Sequence, residues 1–363
     1  MSRGNGLRSG GQVLVDQLRI HGVDTIFCVP GESYLTVIDA LHDAQNEIKT
    51  VACRQEGGAT NMAEAYGKLT GKPGVAMVTR GPGACNGSIG VHTAMQDSTP
   101  MVIFIGQVAR DQEYREAFQE VDYHKFYGAI CKEVVQIDHA NRVPELVSQA
   151  FHVAASGRPG PVAVSIPEDM QRDMVDVADA RPFTTVRSEV GPQAMADFRG
   201  QLAVSERPLM IVGGAGWSEK ACADIQAFAE ANAVPVAASF RCQDMFDNMH
   251  ANYAGELGTS ASPKLTARLK EADLLIVVGS RLGEMTTGGY SLVSLPVPQQ
   301  KLVHVYMDAA ELGRVYEPDV AIVASMESFA GAAKDIEATS PDSRTEWVRE
   351  ANQDYIDNLQ PTL

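Results

Sequence analysis

Short apolar runs rich in β-branched residues recur along most of this chain, each closed by a turn carrying Gly or Pro and separated from the next by a stretch of helical period. In the first half they read "DTIFCVP" (24–30), "KTVACR" (49–54), "GVAMVTR" (74–80), "MVIFIG" (101–106) and "PVAVSIP" (161–167). In the second they read "PLMIVGG" (208–214), "VPVAASF" (234–240), "DLLIVVGS" (273–280), "LVHVYMD" (302–308) and "DVAIVAS" (319–325). Runs with no polar side suit strands covered on both faces, which parallel sheets with crossover helices provide. Between them, Val13, Leu14, Gln17, Leu18 and His21 fit one face of a helix that Gly22 stops, and residues 56–70 fit a longer helix closed by Gly71 and Pro73. The pattern predicts an α/β protein of two doubly wound domains with mainly parallel sheets.

At 363 residues, 45% of them apolar, the chain is long enough for two cores of ordinary size. The charged, proline-punctuated stretch after Pro167 lacks a clean period and reads as a linker over 171–190. The first domain is then 1–170 and the second 191–345, with 346–363 a polar helix leading out of it. A formal charge of −16 excludes nucleic acid and anionic membrane surfaces as partners. No apolar run approaches the roughly 18 residues of a membrane helix, and residues 1–11 lack a signal-peptide core, so a cytoplasmic location is expected. Cys28, Cys53, Cys85, Cys131, Cys222 and Cys242 form no C-x-x-C pair and are expected as buried, reduced thiols.

Three strand ends carry ligand-friendly turns. In "RQEGGATNMAEAYGK" (54–68) a lone carboxylate, Glu56, stands where a strand hands over to a helix, beside small residues that admit a flat ring or another backbone. Such a carboxylate needs a partner if buried, and it could instead simply cap the first turn of its helix. "TRGPGACNG" (79–87) runs a strand into a Gly-Pro-Gly turn and a helix start, and "VPGES" (29–33) repeats the plan. Neither is a P-loop, and a tight structural turn would use the same residues. Ligands of parallel sheets gather at the carboxyl ends of strands, where all three stretches fall.

The order of "FCVPGES", "RQEGGATNMAEAYGKLTG", "TRGPGACN", "DSTPMVIFIGQV", "AFQEVD" and "RPGPVAVSIPEDM" resembles the pyrimidine-binding domain of thiamine diphosphate enzymes, above all the acetolactate synthase group. "PLMIVGGAGW", "ADLLIVVGSRLGE" and "LVHVYMDAAELGRVY" resemble that family's central domain. The resemblance implies a thiamine diphosphate-dependent lyase or carboligase acting on 2-keto acids, with Glu56 as the catalytic glutamate. In such enzymes the glutamate hydrogen-bonds N1′ of the aminopyrimidine and favours the tautomer that takes the proton from C2 of the thiazolium. It also implies that Gln119 orients intermediates, that Pro30, Gly31, Thr79, Gly81, Pro82 and Asn86 line the cofactor, and that Lys132 lies near the substrate entrance or on the surface.

The chain departs from the family at two points. No "GDG" occurs, so Mg²⁺ and the diphosphate are expected to be held by a further domain, or by another chain, and no metal ligand is assigned here. For the non-redox FAD of acetolactate synthases, Arg281 and Asp308 match and Gly214, in "GGAG", is either a nucleotide contact or a structural turn, but "GELGTS" (255–260), Leu282, Gly283, Glu284, Ala324 and Ser325 do not match, which leaves FAD and the specific reaction open. A nicotinamide enzyme is excluded because "GGAG" is not a full G-x-G-x-x-G. The alternative is a non-catalytic partner or regulatory module. The family's sites form between subunits, so a homodimer or tetramer is expected, joined through Ala59, Met62, Ala63 and Tyr66 of the helix that follows Glu56.

Overall fold

The structure, a computed structural model, describes residues 6–337 and 342–360. It divides into two compact units, Met1–Val186 and Arg187–Leu363. Among the described residues the first unit runs β1 (Arg8–Ser9), α1 (Gly10–Ile20), β2 (Thr25–Cys28), α2 (Leu35–Asp43), β3 (Lys49–Ala52), α3 (Glu56–Thr70), β4 (Gly74–Val78) and α4 (Pro82–Asp97). It continues through β5 (Met101–Gln107), α5 (Tyr123–Tyr127), β6 (Glu133–Gln136), α6 (Val143–Ala155), β7 (Pro161–Pro167) and β8 (Met174–Val175).

Six of these strands form one sheet in the order β3-β2-β4-β5-β7-β6, and its ladders are parallel. Alternation along each strand feeds two cores. Val75, Met77, Val102, Phe104, Val162 and Val164 pack under α1, α2 and α6. Their neighbours Ala76, Val78, Ile103, Ile105 and Ala163 pack under α3, α4 and α5. Each Val, Leu, Ile or Phe buried this completely contributes roughly 1.5–3 kcal/mol. The chain turns from β2 outward to β3, then crosses back to β4, which makes the β2/β4 boundary the topological switch point of this sheet.

The second unit holds α7 (Pro192–Val204), β9 (Pro208–Val212), α8 (Glu219–Ala231), β10 (Val236–Ser239), β11 (Tyr253–Leu257), α9 (Pro263–Glu271) and β12 (Leu274–Val278). After these come β13 (Lys301–Tyr306), β14 (Val320–Val323), α10 (Met326–Lys334) and α11 (Asp342–Asn358). Its parallel sheet has the order β11-β10-β9-β12-β13-β14, covered on one face by α7, α8 and α10 and on the other by α9 and α11. The doubly wound α/β class is therefore observed in both units. The sequence reading lacks β6 and β11, each an edge strand of its sheet: β6 is only half-buried, and β11 carries an extra residue against β10 just before Gly255, which has φ 113°.

Two segments behave differently from their sequence reading. The 171–190 stretch is not a free linker. Up to residue 183 it is strapped onto the first unit: β8 pairs with β1, Asp179 binds Arg8 (2.9 Å) and Gln17 (2.8 Å), and the Phe183 amide donates to His21 Nδ1 (3.2 Å). Past the division, Ser188 and Val190 bond Ser325 and Ser328 of the second unit. Residues 346–360 do not lead away from the second unit either, because α11 docks by its less polar side. Trp347, Val348 and Ala351 are buried, Trp347 Nε1 donates to the Pro208 carbonyl (2.8 Å), and Arg268 lies 4.7 Å over the indole. Of the six free thiols, only Cys28 and Cys131 are buried; Cys85 is exposed and the others are intermediate, so uniform burial does not hold.

Candidate functional site

Glu56 opens α3 directly after β3, with its side chain only 9% exposed. Capping, the simple reading of a carboxylate at this position, belongs to its neighbour: Gln55 Oε1 accepts from the Gly58 amide at 2.9 Å. The Glu56 carboxylate turns instead across to α4, where Oε2 accepts from Asn86 Nδ2 at 3.0 Å. Asn86 is one turn inside α4, so the two helix starts set this pair. Burial first, with the Cys28 thiol and the Glu56 carboxylate as further causes, raises the Tyr34 phenol well above its ordinary pKa. That phenol donates to the Val29 carbonyl at 2.5 Å and anchors the turn at Pro30 and Gly31.

The β2 and β4 turns meet at the switch point. Any side chain on Gly31 would lie 2.5 Å from Thr79 Cβ, so only glycine allows the two strand ends this approach. Ser33 Oγ and Thr79 Oγ1 are 2.7 Å apart, and Ser33 Oγ also accepts from the Arg80 amide (3.1 Å). Gly81 has φ 59°, in the left-handed region, and its amide donates to Tyr123 Oη at 3.0 Å. Pro82 then starts α4 without needing an N–H donor, and no side chain caps that helix. A methyl group on Gly81 would stand 2.7 Å from Gln119, which places Gln119 against the same turn although it lies 38 residues further on.

Glu56, Thr79, Gly81, Pro82 and Asn86 with Pro30, Gly31 and Gln119 thus all lie at the carboxyl edge of the first sheet. The sequence reading missed four supports: Ser33, Tyr34, Tyr123, and the Arg80–Glu168 ion pair (2.6 Å) that joins the β4 and β7 ends. Arg80 and Glu168 sit inside the motifs "TRGPG" and "SIPEDM" and could have been found there; Tyr123 carries no signal of its own. Lys132 stands apart. Its ammonium donates to the Val153 and Ser156 carbonyls (2.5 and 2.6 Å), capping the end of α6. The α3 stripe does not act as one outward surface, because Ala59 and Ala63 are fully buried within their own unit while Met62 is 46% exposed. Tyr66 donates to Asp24 Oδ1 (2.8 Å).

Flatness and small residues at Gly31 and Gly81, with a buried carboxylate aimed between α3 and α4, fit an aminopyrimidine ring. The second unit presents Gly214, Arg281 and Asp308 after β9, β12 and β13, at the carboxyl edge of that sheet. Here the fit to a flavin dinucleotide is incomplete. Arg281 lies 3.1 Å from the nearly buried Glu311 carboxylate, the buried Glu256 Oε2 has no hydrogen-bond partner, and Gly214 (φ 75°) packs against the Gly279 carbonyl as a structural turn. Asp308 Oδ1 accepts from the Ala310 amide at 2.9 Å. Among the described residues no three His, Cys, Asp or Glu side chains are grouped to hold a metal ion, and no helix is long and apolar enough to cross a membrane.

Residues 8–126 match the family model of the N-terminal TPP binding domain of thiamine pyrophosphate enzymes, and residues 196–332 match the model of their central domain. The chain is 36% identical over 326 residues to an acetolactate synthase large subunit of Parasynechococcus marenigrum (strain WH8102), covering 88% of this chain and 52% of that protein. It is 33% identical over 348 residues to the acetolactate synthase isozyme 2 large subunit of Escherichia coli (strain K12), covering 95% and 61%. With an acetolactate synthase large subunit of Lactococcus lactis subsp. lactis (strain IL1403) the identity is 31% over 349 residues, covering 94% and 59%. The chain thus spans little more than half the length of these curated relatives.

Proposed function

Because the chain belongs to the thiamine pyrophosphate enzyme family, in its acetolactate synthase-like branch, we propose that it supplies the pyrimidine-binding half of an enzyme that joins 2-keto acids by carboligation. The observation that carries this reading is the Glu56–Asn86 pair, a buried carboxylate held by one amide at the mouth of the β2/β4 crevice. Thiamine diphosphate, when bound, supplies an acidic carbon able to add to a keto carbonyl. Glu56 holds and returns a proton at the pyrimidine ring nitrogen, and burial keeps water from competing for it. Asn86 fixes the direction of the carboxylate. The Gly31 and Gly81 turns admit the flat ring, and Pro82 leaves the start of α4 open toward it.

Gln119, pressed against Gly81, offers an amide that orients a keto acid without itself titrating. The diphosphate and its Mg²⁺ are assigned to polypeptide outside these two units. No residue of the second unit is given a flavin role, since the cradle there is incomplete. The site is proposed to be completed in a homodimer or tetramer. Nothing observed favours the non-catalytic alternative.

The test is incubation of the protein, together with the polypeptide that carries the diphosphate and Mg²⁺ site, with pyruvate, thiamine diphosphate and Mg²⁺, with products followed by NMR. Acetolactate is the expected product. Release of acetaldehyde alone would replace carboligation by simple decarboxylation, and consumption of no keto acid by protein that binds the cofactor would contradict the enzymatic reading.

A further inference from the structure

The loop between β5 and α5 holds its shape against the preferences of its own residues. Tyr114 (φ 62°), Glu116 (φ 56°) and Gln119 (φ 66°) all sit in the left-handed region, and none is glycine. Residues 117–120 close a hydrogen-bonded turn, with the Glu120 amide donating to the Ala117 carbonyl at 2.9 Å and Gln119 at the third position. Glycine or asparagine is the usual occupant of that position when φ is positive. A longer side chain held there against its conformational preference needs outside restraint, and residues of this kind gather at functional sites.

One restraint visible in the structure is a carboxylate within the loop itself. Glu120 Oε1 accepts from the Tyr114 amide at 2.6 Å and Oε2 accepts from the Ala117 amide at 3.0 Å, so the two oxygens clamp the middle of the loop just before the turn. Arg80 Nε holds the Phe118 carbonyl at 3.2 Å, and Gln107 Nε2 holds the Val121 carbonyl at 2.9 Å. The loop is thereby tied to the β4 and β5 ends, and Gln119 is left against Gly81. Only Glu120 bonds within the loop at both Tyr114 and Ala117 among these ties.

We propose that Glu120 is a positioning residue, whose carboxylate fixes the turn that sets the Gln119 side chain at the Gly81 rim of the site. This rests on the role given to Gln119 above. It assigns Glu120 no contact with substrate or cofactor. Two acceptors are required, so glutamine, with one acceptor oxygen, should keep half of the clamp, and alanine none.

Hydrogen exchange at the Tyr114 and Ala117 amides reads the clamp, and keto acid kinetics of the thiamine diphosphate-loaded enzyme read its consequence. Glu120→Ala should speed exchange at both amides by about tenfold or more, and Glu120→Gln should speed it at one. Both variants should raise KM for the keto acid in the same order while the cofactor's own C2 proton exchange, set at Glu56, stays as in the parent. In a Gln119→Ala background, Glu120→Ala should add little further loss, since both changes remove the same placed amide. Unchanged amide exchange in Glu120→Ala would show that no clamp exists. Faster exchange with losses that add fully to those of Gln119→Ala would reduce Glu120 to a stabilising residue and overturn the positioning role. If Gln119→Ala alone leaves KM and product unchanged, the reading of Gln119 itself fails, and the positioning role falls with it while the amide exchange still reports the clamp.

Discussion

Asn86 reaches Glu56 through a single hydrogen bond of 3.0 Å, so the direction of the buried carboxylate depends on one neighbouring amide. A hydrogen bond to a charged group contributes about 1.5–3 kcal/mol. Asn86→Ala is therefore expected to lower turnover by roughly 10–100-fold with the fold intact, and turnover within twofold of the parent would show that Asn86 does not orient Glu56. Glu56 was legible in the sequence from its strand-to-helix junction, and Asn86 only through the family resemblance. Their partnership was not, because it spans 30 residues and depends on how α3 lies on α4. The cap was hidden for a different reason: Gln55 takes the Gly58 amide only three residues on, a role usually filled by Ser, Thr, Asp or Asn. A second residue-scale expectation concerns His21. Burial first, then the nearby His152, lowers its pKa to about 4, and it accepts from the Phe183 amide as the neutral ring. Its folded pKa lies below the unfolded value of about 6.5, so the unfolded chain binds the extra proton. The stability it contributes is present above pH about 6.5 and is lost as pH falls toward 4, on the order of 2–3 kcal/mol. Thermal unfolding from pH 7 to 4 should show that loss reduced in His21→Asn, whose amide oxygen still accepts the Phe183 amide; identical slopes for the two proteins would remove His21 as its source.

Among the elements of the first unit, α3 and α4 pack closely, and small residues are the reason. A side chain on Gly90 would strike Thr60, and one on Gly57 would stand 3.0 Å from Ile89. The Gly- and Ala-rich face that reads from sequence as an outward surface is spent on this internal contact, since a helix stripe has the same period whether it faces its own sheet or another subunit. Strands β4, β5, β7, β9, β10 and β12 were legible because they are buried throughout their length. For α11 the polar composition misled, because a long charged side chain, Arg344, is buried along with Trp347, Val348 and Ala351. Arg344 is fully buried and donates to the Ser205 carbonyl (2.9 and 2.7 Å) and to the Leu202 carbonyl, which closes the end of α7. Arg344→Met keeps the volume but leaves these carbonyls without a donor, and is expected to cost about 2–4 kcal/mol. A melting temperature within 1–2 °C of the parent, roughly the effect of a few tenths of a kcal/mol at this size, would contradict that account.

At the scale of the whole molecule, the two sheets place every sequence-derived candidate except Lys132 at a strand's carboxyl end, which is where doubly wound sheets bind ligands. Sequence order could supply that much, since each candidate follows an apolar run. It could not supply the strand order that puts Gly31 on Thr79 and Gln119 on Gly81. Association is expected to use the exposed apolar side chains of α3 and α4, Met62 and Ile89, which are 46% and 60% exposed. Met62→Glu should then shift a dilution series in light scattering toward monomer, whereas unchanged association would place the interface elsewhere. The central claim is that Glu56 drives proton removal at the cofactor, and it is read most directly by H/D exchange at C2 of bound thiamine diphosphate, followed by NMR in the parent and in Glu56→Gln. Glutamine can hydrogen-bond the ring but cannot hold and return a proton, so exchange should fall by roughly 100-fold or more, about 3 kcal/mol in barrier, with binding and fold retained. Exchange at the parent rate in Glu56→Gln would contradict the account.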